Sequence, residues 1–285
     1  MDPQVYLNGK LIELGQACIP VSSTTLLHGV GLFETLRCYN GTAMRLDRHM
    51  ARLQTSAARL KVAVDPAVQQ IPDAVRLVLD ANGLANARLR ITLMPPGPHQ
   101  SVAEPTLLVT AEYTTGYPPE TYERGWTACL CTDHRQSVHD PLAGHKTTSY
   151  FARLLVLRDA QNRGCQEALW FTPRNLLAEG CISNVFVIKN GTLITPPLDT
   201  PVLPGVTREA VLQLAAAAQI PAEERDCTVD ELLDADEILL TNSVMEIMPV
   251  TRIEKKPIAG EKPGPVTRQL AEAYRDLVSA ECGRE

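Results

Sequence analysis

Three Asn-Gly dipeptides, at positions 8–9, 40–41 and 190–191, each lie between two strand-like runs of residues. The three segments read "VYLNGKLIEL", "ETLRCYNGTAMRL" and "NVFVIKNGTLIT". Asn-Gly favours the type I′ turn between adjacent antiparallel strands, because that turn needs positive φ at both central residues. The sequence therefore predicts three tight β-hairpins, and the fold must contain antiparallel sheet.

Helical patterns occur between and after these hairpins. The stretch "LDRHMARLQTSAARLKV" has Asp47 as its predicted N-cap and one apolar stripe, made of Leu46, Met50, Leu53, Ala57 and Leu60. Further helices are predicted at about 71–82, after Lys146, in "LPGVTREAVLQLAAAAQ" and in "GPVTRQLAEAYRDLV". Strands are predicted in "ARLRITLM", "PTLLVTAEY", "WTACLCT" and "QEALWFT", and "DEILLTNSVMEIMPV" is predicted to be one strand that ends in a polar loop. Hairpins and helices without regular βαβ alternation predict an α+β fold.

The segment 114–125, "TTGYPPETYERG", is rich in turn formers and poor in apolar residues, which is typical of a linker. A chain of 285 residues has the length of two ordinary domains. We therefore expect a small N-terminal α/β domain at 1–113, the linker at 114–125, and a larger mixed α/β domain at 126–285.

The composition restricts the partners and the compartment. The net charge is −6 with both signs interspersed, so nucleic acid and membranes are not expected as partners. The N-terminus lacks the pattern of a signal peptide, and no apolar run is long enough to span a bilayer, which favours a cytoplasmic protein. Eight scattered cysteines without a CxxC pair predict reduced, mostly buried thiols.

Two residues are candidates for acid–base or covalent chemistry. Lys146, in "LAGHKTTSY", lies before a predicted helix N-terminus and beside His145, and both are expected to disfavour its ammonium form and lower its pKa. A neutral amine is what Schiff-base chemistry needs, although a solvated loop lysine is the plainer interpretation. Glu179, in "LLAEGCISN", lies between apolar strands, where a carboxylate either faces a cation in a cleft or caps a turn.

Two further segments have the pattern of ligand-binding loops. In "LPGVTRE", a Pro-Gly turn precedes a helix, so the amides of Val206 and Thr207 can bind a phosphate or simply begin an ordinary helix. Ser243 lies where an apolar strand changes to a loop, a common place for ligand contacts. A competing hypothesis is a metal-dependent hydrolase, with zinc held by one loop containing His134, His139, Asp140 and His145.

Taken in order and spacing, these segments resemble the class IV (fold type IV) pyridoxal-phosphate enzymes over nearly the whole chain. That family includes branched-chain aminotransferases, D-amino acid aminotransferases and 4-amino-4-deoxychorismate lyases. The blocks that carry the resemblance are "HGVGLFETLRCYNG", "HMARLQTSA", "HKTTSY", "EGCISNVFVIKNGTLITPP", "LPGVTREAV" and "TNSVMEIMPV". The glutamate hairpin and the turn after it, at their separation from the lysine, are the most specific part.

The resemblance implies a role for each of these residues. Lys146 would form the internal aldimine, a Schiff base, with pyridoxal 5′-phosphate, and Glu179 would keep the ring nitrogen protonated. The cofactor's phosphate would be held by Arg52, Val206, Thr207 and Ser243, and Tyr150 would contact its phenolic oxygen. Phe33 would line the substrate pocket and Arg90 would bind a substrate carboxylate. Family members pair as homodimers.

The expected activity is a ping-pong transamination between an amino acid and a 2-oxo acid. The alternative on the same scaffold is aminodeoxychorismate lyase, which releases pyruvate by β-elimination. The chain departs from both well-known transaminase subgroups, because Thr147-Thr148-Ser149-Tyr150 replaces the Gly-Gly-Asn-Tyr of branched-chain enzymes. The carboxylate trap of D-amino acid enzymes is not evident in "MPPGPHQSVAEP", although His99 falls nearby.

Overall fold

The computed structural model describes residues 2–96 and 105–283. These residues divide into two compact units. Of the described residues, 2–96, 105–115, 145–150 and 278–283 belong to unit 1, and Gly116–Gly144 and Phe151–Leu277 belong to unit 2. Within the described residues, no helix combines the length and the apolar character that crossing a membrane requires. The eight cysteines are free thiols, and all except Cys18 are buried.

Unit 1 contains an antiparallel sheet of six strands. The strands are β1 (Gln4–Leu7), β2 (Lys10–Glu13), β3 (Leu32–Tyr39), β4 (Thr42–Ala43), β5 (Ala87–Met94) and β6 (Thr106–Tyr113). Their order is β2-β1-β6-β5-β3-β4, and every neighbouring pair is antiparallel. The helices are α1 (Thr24–His28), α2 (Leu46–Leu60) and α3 (Ile71–Asn82), with 3₁₀ turns at Leu14–Gln16 and Ala67–Gln70.

All three predicted hairpins are confirmed. The Asn-Gly pairs lie between β1 and β2, between β3 and β4, and between two strands of unit 2, Asn184–Lys189 and Thr192–Thr195. Each Asn and Gly of these pairs has the positive φ that a type I′ turn requires, for example 47° at Asn8 and 85° at Gly9.

The core of unit 1 forms where α2 and α3 cover the sheet with their apolar stripes. Leu53 and Ala57 of α2 are buried, and they belong to the same apolar cluster as Leu36 and Leu89 of the sheet. The prediction of Asp47 as the N-cap of α2 was wrong, because the helix begins at Leu46 and its N-cap is Arg45, two residues earlier than predicted. Asp47 lies instead in the first turn, where an acidic side chain interacts favourably with the helix dipole.

Unit 2 contains a mixed sheet of nine strands. They are β7 (Trp126–Arg135), β8 (Glu167–Phe171), β9 (Leu177–Gly180), β10 (Asn184–Lys189), β11 (Thr192–Thr195), β12 (Ala222–Glu224), β13 (Glu237–Asn242), β14 (Glu246–Ile253) and β15 (Lys256–Pro257). The order is β12-β11-β10-β13-β14-β7-β8-β9, and β15 pairs with β14. Strand β7 is parallel to β14 and to β8, whereas β10, β13 and β14 are antiparallel neighbours.

Five helices follow in chain order. They are α4 (Pro119–Arg124), α5 (Phe151–Asn162), α6 (Val206–Ala217), α7 (Val229–Leu233) and α8 (Pro265–Cys282), whose last residues are assigned to unit 1. A 3₁₀ turn lies at Ala259–Glu261. The mixture of antiparallel hairpins and helices agrees with the predicted α+β class.

The prediction of a single strand in "DEILLTNSVMEIMPV" was wrong, since this segment forms two antiparallel strands, β13 and β14. The side chain of Asn242 accepts the amides of Val244 and Met245, both at 2.8 Å, and so closes the turn between them. Successive residues are buried along both strands, so no alternation of polar and apolar residues marked the second strand.

The stretch predicted as a linker is partly helical and packed. Helix α4 occupies Pro119–Arg124, and Thr251 of β14 donates a hydrogen bond to the carbonyl of Arg124 at 2.9 Å. Gly125 then adopts φ 70° and ψ 173°, a conformation that is almost restricted to glycine. A Cβ at Gly125 would lie 2.6 Å from the methyl group of Thr251, so the backbone here is in close contact with β14.

Gly125→Ala should therefore destabilise unit 2 by roughly 2–5 kcal/mol, through backbone strain and overpacking against Thr251. Denaturant-induced unfolding of the variant beside the wild type measures the effect. Gly15→Ala is the matched control, because Gly15 has ordinary φ and nothing lies within 4 Å of the methyl group that alanine would add there. Equal stability of the two variants would mean that the 114–125 segment behaves as the linker that the sequence suggested.

Candidate active site

The lysine segment of unit 1 lies beside the first residues of β3. Phe33 donates its amide to the carbonyl of Lys146 at 3.0 Å, and Thr148 donates its amide to the carbonyl of Gly31 at 2.9 Å. The Thr148 hydroxyl donates to the carbonyl of Gly29 at 2.6 Å. A Cβ at Gly31 would lie 2.9 Å from that hydroxyl oxygen, so glycine is required for this close approach. The position of Lys146 is therefore fixed by backbone pairing.

The amine of Lys146 lies among aromatic rings. Its Nζ is 4.5 Å from the ring centroid of Phe33 and 5.9 Å from that of Tyr150. The two rings meet edge to face, with centroids 5.5 Å apart. The guanidinium of Arg90 lies 3.4 Å from the Phe33 centroid. Four of the five predicted site residues of unit 1 are thus in one cluster around Phe33.

Arg90 remains a cation at neutral pH in this cluster. Burial lowers its pKa to about 10, with a further contribution from the charge of Arg88. The Nε of Arg90 donates to the hydroxyl of Thr92 at 3.4 Å. The planar fork of a guanidinium fits a carboxylate well, so a carboxylate is a suitable ligand for this half-buried cation.

In the sequence analysis, an unfavourable environment of the Lys146 ammonium was attributed in part to the dipole of the following helix, and the structure corrects that attribution. Helix α5 begins only at Phe151, and a helix dipole acts within its first turn, so the dipole does not act on Lys146. His145 interacts through Nδ1 with the hydroxyl of Ser56 at 3.0 Å, and burial and the charge of Arg59 lower its pKa. Burial lowers the pKa of His49, and the charges of Arg52 and Lys146 lower it further to a smaller extent.

Arg52, the fifth predicted residue in unit 1, is held by a buried carboxylate on β3. Glu34 accepts Nε of Arg52 at 2.9 Å and Nη2 at 2.5 Å, and its other contact is Nδ1 of His49 at 2.8 Å. Burial alone would raise the pKa of Glu34, but the charge of Arg52 and the bonds from His49 and Arg52 lower it to about 2. The sequence analysis missed Glu34 and His49. The signals were an acid inside the apolar strand "LFETLRCY" and the i, i+3 spacing of His49 and Arg52.

Glu179 of unit 2 is a buried carboxylate with three donors from three separate segments. Its Oε1 accepts Nε2 of Gln136 at 2.9 Å and Nη2 of Arg153 at 2.5 Å, and its Oε2 accepts the amide of Leu203 at 2.9 Å. Glu179 is 2% exposed. The sequence indicated the glutamate, but not these partners, which are distant from it along the chain.

The turn after Glu179 is held by a second buried carboxylate. Glu167 accepts the amides of Cys181 at 2.9 Å and Ile182 at 3.3 Å, and the hydroxyl of Ser183 at 2.7 Å. It is fully buried, and burial raises its pKa. A Cβ at Gly180 would overlap Ser183 and Glu167, so the turn has no room for another residue there.

The predicted phosphate loops belong to the same region of unit 2 as Glu179. Gly205 is the N-cap of α6, which begins at Val206 without a side-chain capping bond. Asn184 packs against the α-carbon of Gly205 and donates to the carbonyl of Leu203 at 2.8 Å. The turn that contains Ser243 is connected to the Glu179 turn, because Asn242 donates to the carbonyl of Ile182 at 3.1 Å.

The predicted residues thus fall into two groups, one in each unit. Unit 1 contains Phe33, Arg52, Arg90, Lys146 and Tyr150, and unit 2 contains Glu179, Val206, Thr207 and Ser243. His99 lies outside the described residues. The described residues contain no group of three His, Cys, Asp or Glu side chains suited to a metal ion, so the metal-hydrolase hypothesis lacks a site there. His134 stacks on Trp170 instead, with centroids 5.9 Å apart.

Comparison with known proteins decides the family. The sequence model of amino-transferase class IV matches residues 31–253. The chain belongs to the class IV aminotransferases. This aminotransferase is 30% identical over 282 residues to a putative branched-chain-amino-acid aminotransferase of Methanocaldococcus jannaschii, with 96% of each chain covered. It is 29% identical to a D-alanine aminotransferase of Bacillus licheniformis, with 99% of each covered.

The fold of the aminotransferase agrees with this assignment. The crystal structure of Escherichia coli branched-chain amino acid aminotransferase superposes with a TM-score of 0.92 at 27% identity, covering 99% of this chain and 96% of that one. The family, fold class and enzyme class that the sequence predicted are therefore confirmed.

Glu34→Gln should lower the free energy of unfolding of the aminotransferase by about 3–5 kcal/mol at pH 7, because it leaves the buried Arg52 charge uncompensated. The pKa of Glu34 is about 2 in the folded protein against its usual 4.5, so its stabilisation is present above pH 4.5 and is lost as the pH falls through about 2. The difference in free energy of unfolding between the variant and the wild type should therefore become smaller as the pH falls from 4.5 to about 2.

Denaturant unfolding at a series of pH values measures this difference. Asp73→Asn is the control, since Asp73 is a carboxylate with 79% side-chain exposure that pairs with Arg76 on the surface. Its effect should stay below about 1 kcal/mol. A Glu34→Gln effect that is constant down to pH 2 would contradict the assigned ion pair.

Proposed function

We propose that this class IV aminotransferase transfers an amino group between an amino acid and a 2-oxo acid, with pyridoxal 5′-phosphate as its cofactor, in a ping-pong cycle. Enzymes of this family depend on that cofactor, and the relatives named above are aminotransferases. The observation that carries the proposal is the buried Glu179 carboxylate, whose Oε2 accepts one hydrogen bond from the described part of the chain and can accept a second.

The residues of each unit fit the chemical groups of this cofactor. A carboxylate oxygen accepts two hydrogen bonds, and Oε2 of Glu179 accepts one, so a second position can take the N–H of a protonated pyridine. Helix α6 begins without a side-chain cap, which leaves its first amides suited to a phosphate. Lys146 supplies the amine that the cofactor's aldehyde requires.

When bound, pyridoxal phosphate supplies an aldehyde that takes up amino groups and a ring that withdraws electrons from the substrate Cα. Lys146 would hold the cofactor through its amine and, once displaced by the substrate, would move the proton at Cα. Glu179 would keep a proton on the ring nitrogen. Arg52, Val206, Thr207 and Ser243 would hold the phosphate, and Tyr150 would donate a hydrogen bond to the phenolic oxygen.

The substrate side of the proposal rests on Phe33 and Arg90. Arg90 is a cation at neutral pH and stacks on the ring of Phe33, so its orientation is restricted before a ligand arrives. We assign the substrate carboxylate to Arg90 and an apolar contact to Phe33. Relatives named for branched-chain amino acids and for D-alanine both match the chain, and both substrates carry this carboxylate.

Borohydride reduction of the protein supplied with pyridoxal phosphate should attach the cofactor to Lys146. In Lys146→Ala the label and the visible absorbance should disappear, and amino transfer should fall by orders of magnitude, because no other residue replaces the amine. Peptide mass spectrometry and spectrophotometry measure these changes. Lys61→Ala, at an exposed lysine of the same unit, is the control and should retain both signals.

Two outcomes would change the assignment. A label on another lysine, or a colourless wild type, would overturn the proposed function. Pyruvate released from aminodeoxychorismate without a 2-oxo acid acceptor would show the lyase reaction instead of transamination.

We also propose that the aminotransferase is a homodimer. Unit 1 exposes a series of large apolar side chains between residues 14 and 30: Leu14, Ile19, Val21, Leu26, Leu27 and Val30. Val21 is 82% exposed and Leu26 is 64% exposed, which is unusual for several neighbouring residues of one segment. A second copy that covers this segment in a symmetric interface would remove the apolar area from water.

Leu26→Asp combined with Leu27→Asp should therefore shift the protein from two chains per particle to one, because the charges would have to be buried in the interface. Light scattering on the eluting protein measures the particle mass, and one chain has a mass of 31.2 kDa. Gln54→Asp, on the exposed face of α2, is the control for added surface charge. A wild type that elutes as one chain would refute the dimer.

A further inference from the structure

Arg153 connects the Glu179 carboxylate to the turn that follows it. The side chain leaves the first turn of α5, and its Nη2 is 2.5 Å from Oε1 of Glu179. Its Nη1 donates to two backbone carbonyls, of Gly180 at 3.1 Å and Cys181 at 3.2 Å. The guanidinium also lies 5.8 Å from the ring centroid of Trp170. These contacts fix both the position and the plane of the guanidinium.

Arg153 supplies the positive charge among the donors that Glu179 has in the structure. The other two donors, the side-chain amide of Gln136 and the backbone amide of Leu203, are neutral. The Glu179 side chain is 3% exposed, so water does not stabilise its charge. A buried carboxylate without a cationic partner is unfavourable, so the charge of Arg153 stabilises Glu179 in this position.

The donors also determine which oxygen of Glu179 remains available. Oε1 accepts two hydrogen bonds, from Gln136 and Arg153, which is the number that its lone pairs allow. Oε2 accepts one, from Leu203. These bonds hold the carboxylate in one orientation, and among the described residues they leave one acceptor position on Oε2 for a ligand.

We propose that Arg153 is a positioning residue for the cofactor's ring nitrogen, acting through Glu179. It pairs its charge with the carboxylate and turns the carboxylate so that Oε2 is the oxygen that accepts the ring N–H. This proposal rests on the proposed function, because it assumes that Glu179 meets the pyridine nitrogen. The guanidinium bonds to Oε1, whereas the ring contact would use Oε2, so one carboxylate can serve both partners.

An arginine suits this position better than a lysine. The planar fork of a guanidinium reaches a carboxylate and two carbonyls at once, through separate nitrogens. The ammonium of a lysine is a single point with a flexible stem, so it can supply the charge without fixing the carboxylate. Arg153→Lys should therefore restore part of the effect that Arg153→Met removes.

The test compares pyridoxal phosphate with its 1-deaza analogue, in which a C–H replaces the ring nitrogen. The ratio of the two dissociation constants measures the contact between the carboxylate and the ring nitrogen, and a general loss of packing would weaken both equally. The wild type should prefer pyridoxal phosphate. Arg153→Met should reduce that preference at least tenfold, toward the preference of Glu179→Gln. The preference of Arg153→Lys should lie between those of the wild type and Arg153→Met. Arg163→Met is the matched control, because Arg163 is 52% exposed and pairs with Glu254.

The outcomes separate this proposal from the proposed function. A wild type that is not labelled at Lys146 by borohydride overturns the proposed function. A labelled wild type that binds both compounds equally, or an Arg153→Met variant with the wild-type ratio, overturns the role of Arg153 alone. If Arg153→Met does not fold, the Arg153→Lys variant is the test. A ratio of dissociation constants equal to that of the wild type overturns the proposal, and a ratio between those of the wild type and Glu179→Gln supports it.

Discussion

In the described part of this aminotransferase, four glutamates lie buried on strands, and the local structure of both units depends on the hydrogen-bond donors around them. They are Glu34, Glu167, Glu179 and Glu237, and none is more than 5% exposed. A carboxylate loses its hydration when it is buried, so it is tolerated only where charged or N–H donors replace the water. Since all of these donors except the amide of Ala168 come from other segments, each glutamate connects its strand to a loop or a helix that is distant in the sequence.

Each connection has a different consequence for the site. Glu34 holds Arg52 on α2, and Glu167 holds the turn that follows Glu179. Glu237 accepts the amides of Val266 and Thr267 at the beginning of α8, at 3.0 Å and 2.8 Å. Glu167 accepts four hydrogen bonds, which is all that its oxygens can take, so its role is structural. Glu179 accepts three from the described residues, and the remaining position is the one that we propose for the cofactor's ring nitrogen.

The parts of the fold that could be predicted are those with a local cause. The three Asn-Gly hairpins were predicted correctly because a type I′ turn depends on the backbone preferences of two neighbouring residues. The apolar stripe of α2 likewise depends on spacing within one segment. Strand β14 and helix α4 were missed, since β14 is buried on both faces and α4 is a short helix stabilised by packing in unit 2.

The sequence by itself determined the family, the α+β class and the chemical types of the central residues, because a lysine, a glutamate and a glycine turn in that order are visible along the chain. Only the tertiary structure decided which charges meet. Arg153 and Gln136 reach Glu179, and Glu34 binds Arg52, across long separations in sequence. No periodicity or spacing in the sequence identifies such pairs. A buried charge is paired with whichever donor lies close to it in space, and that is known only once the strands have paired.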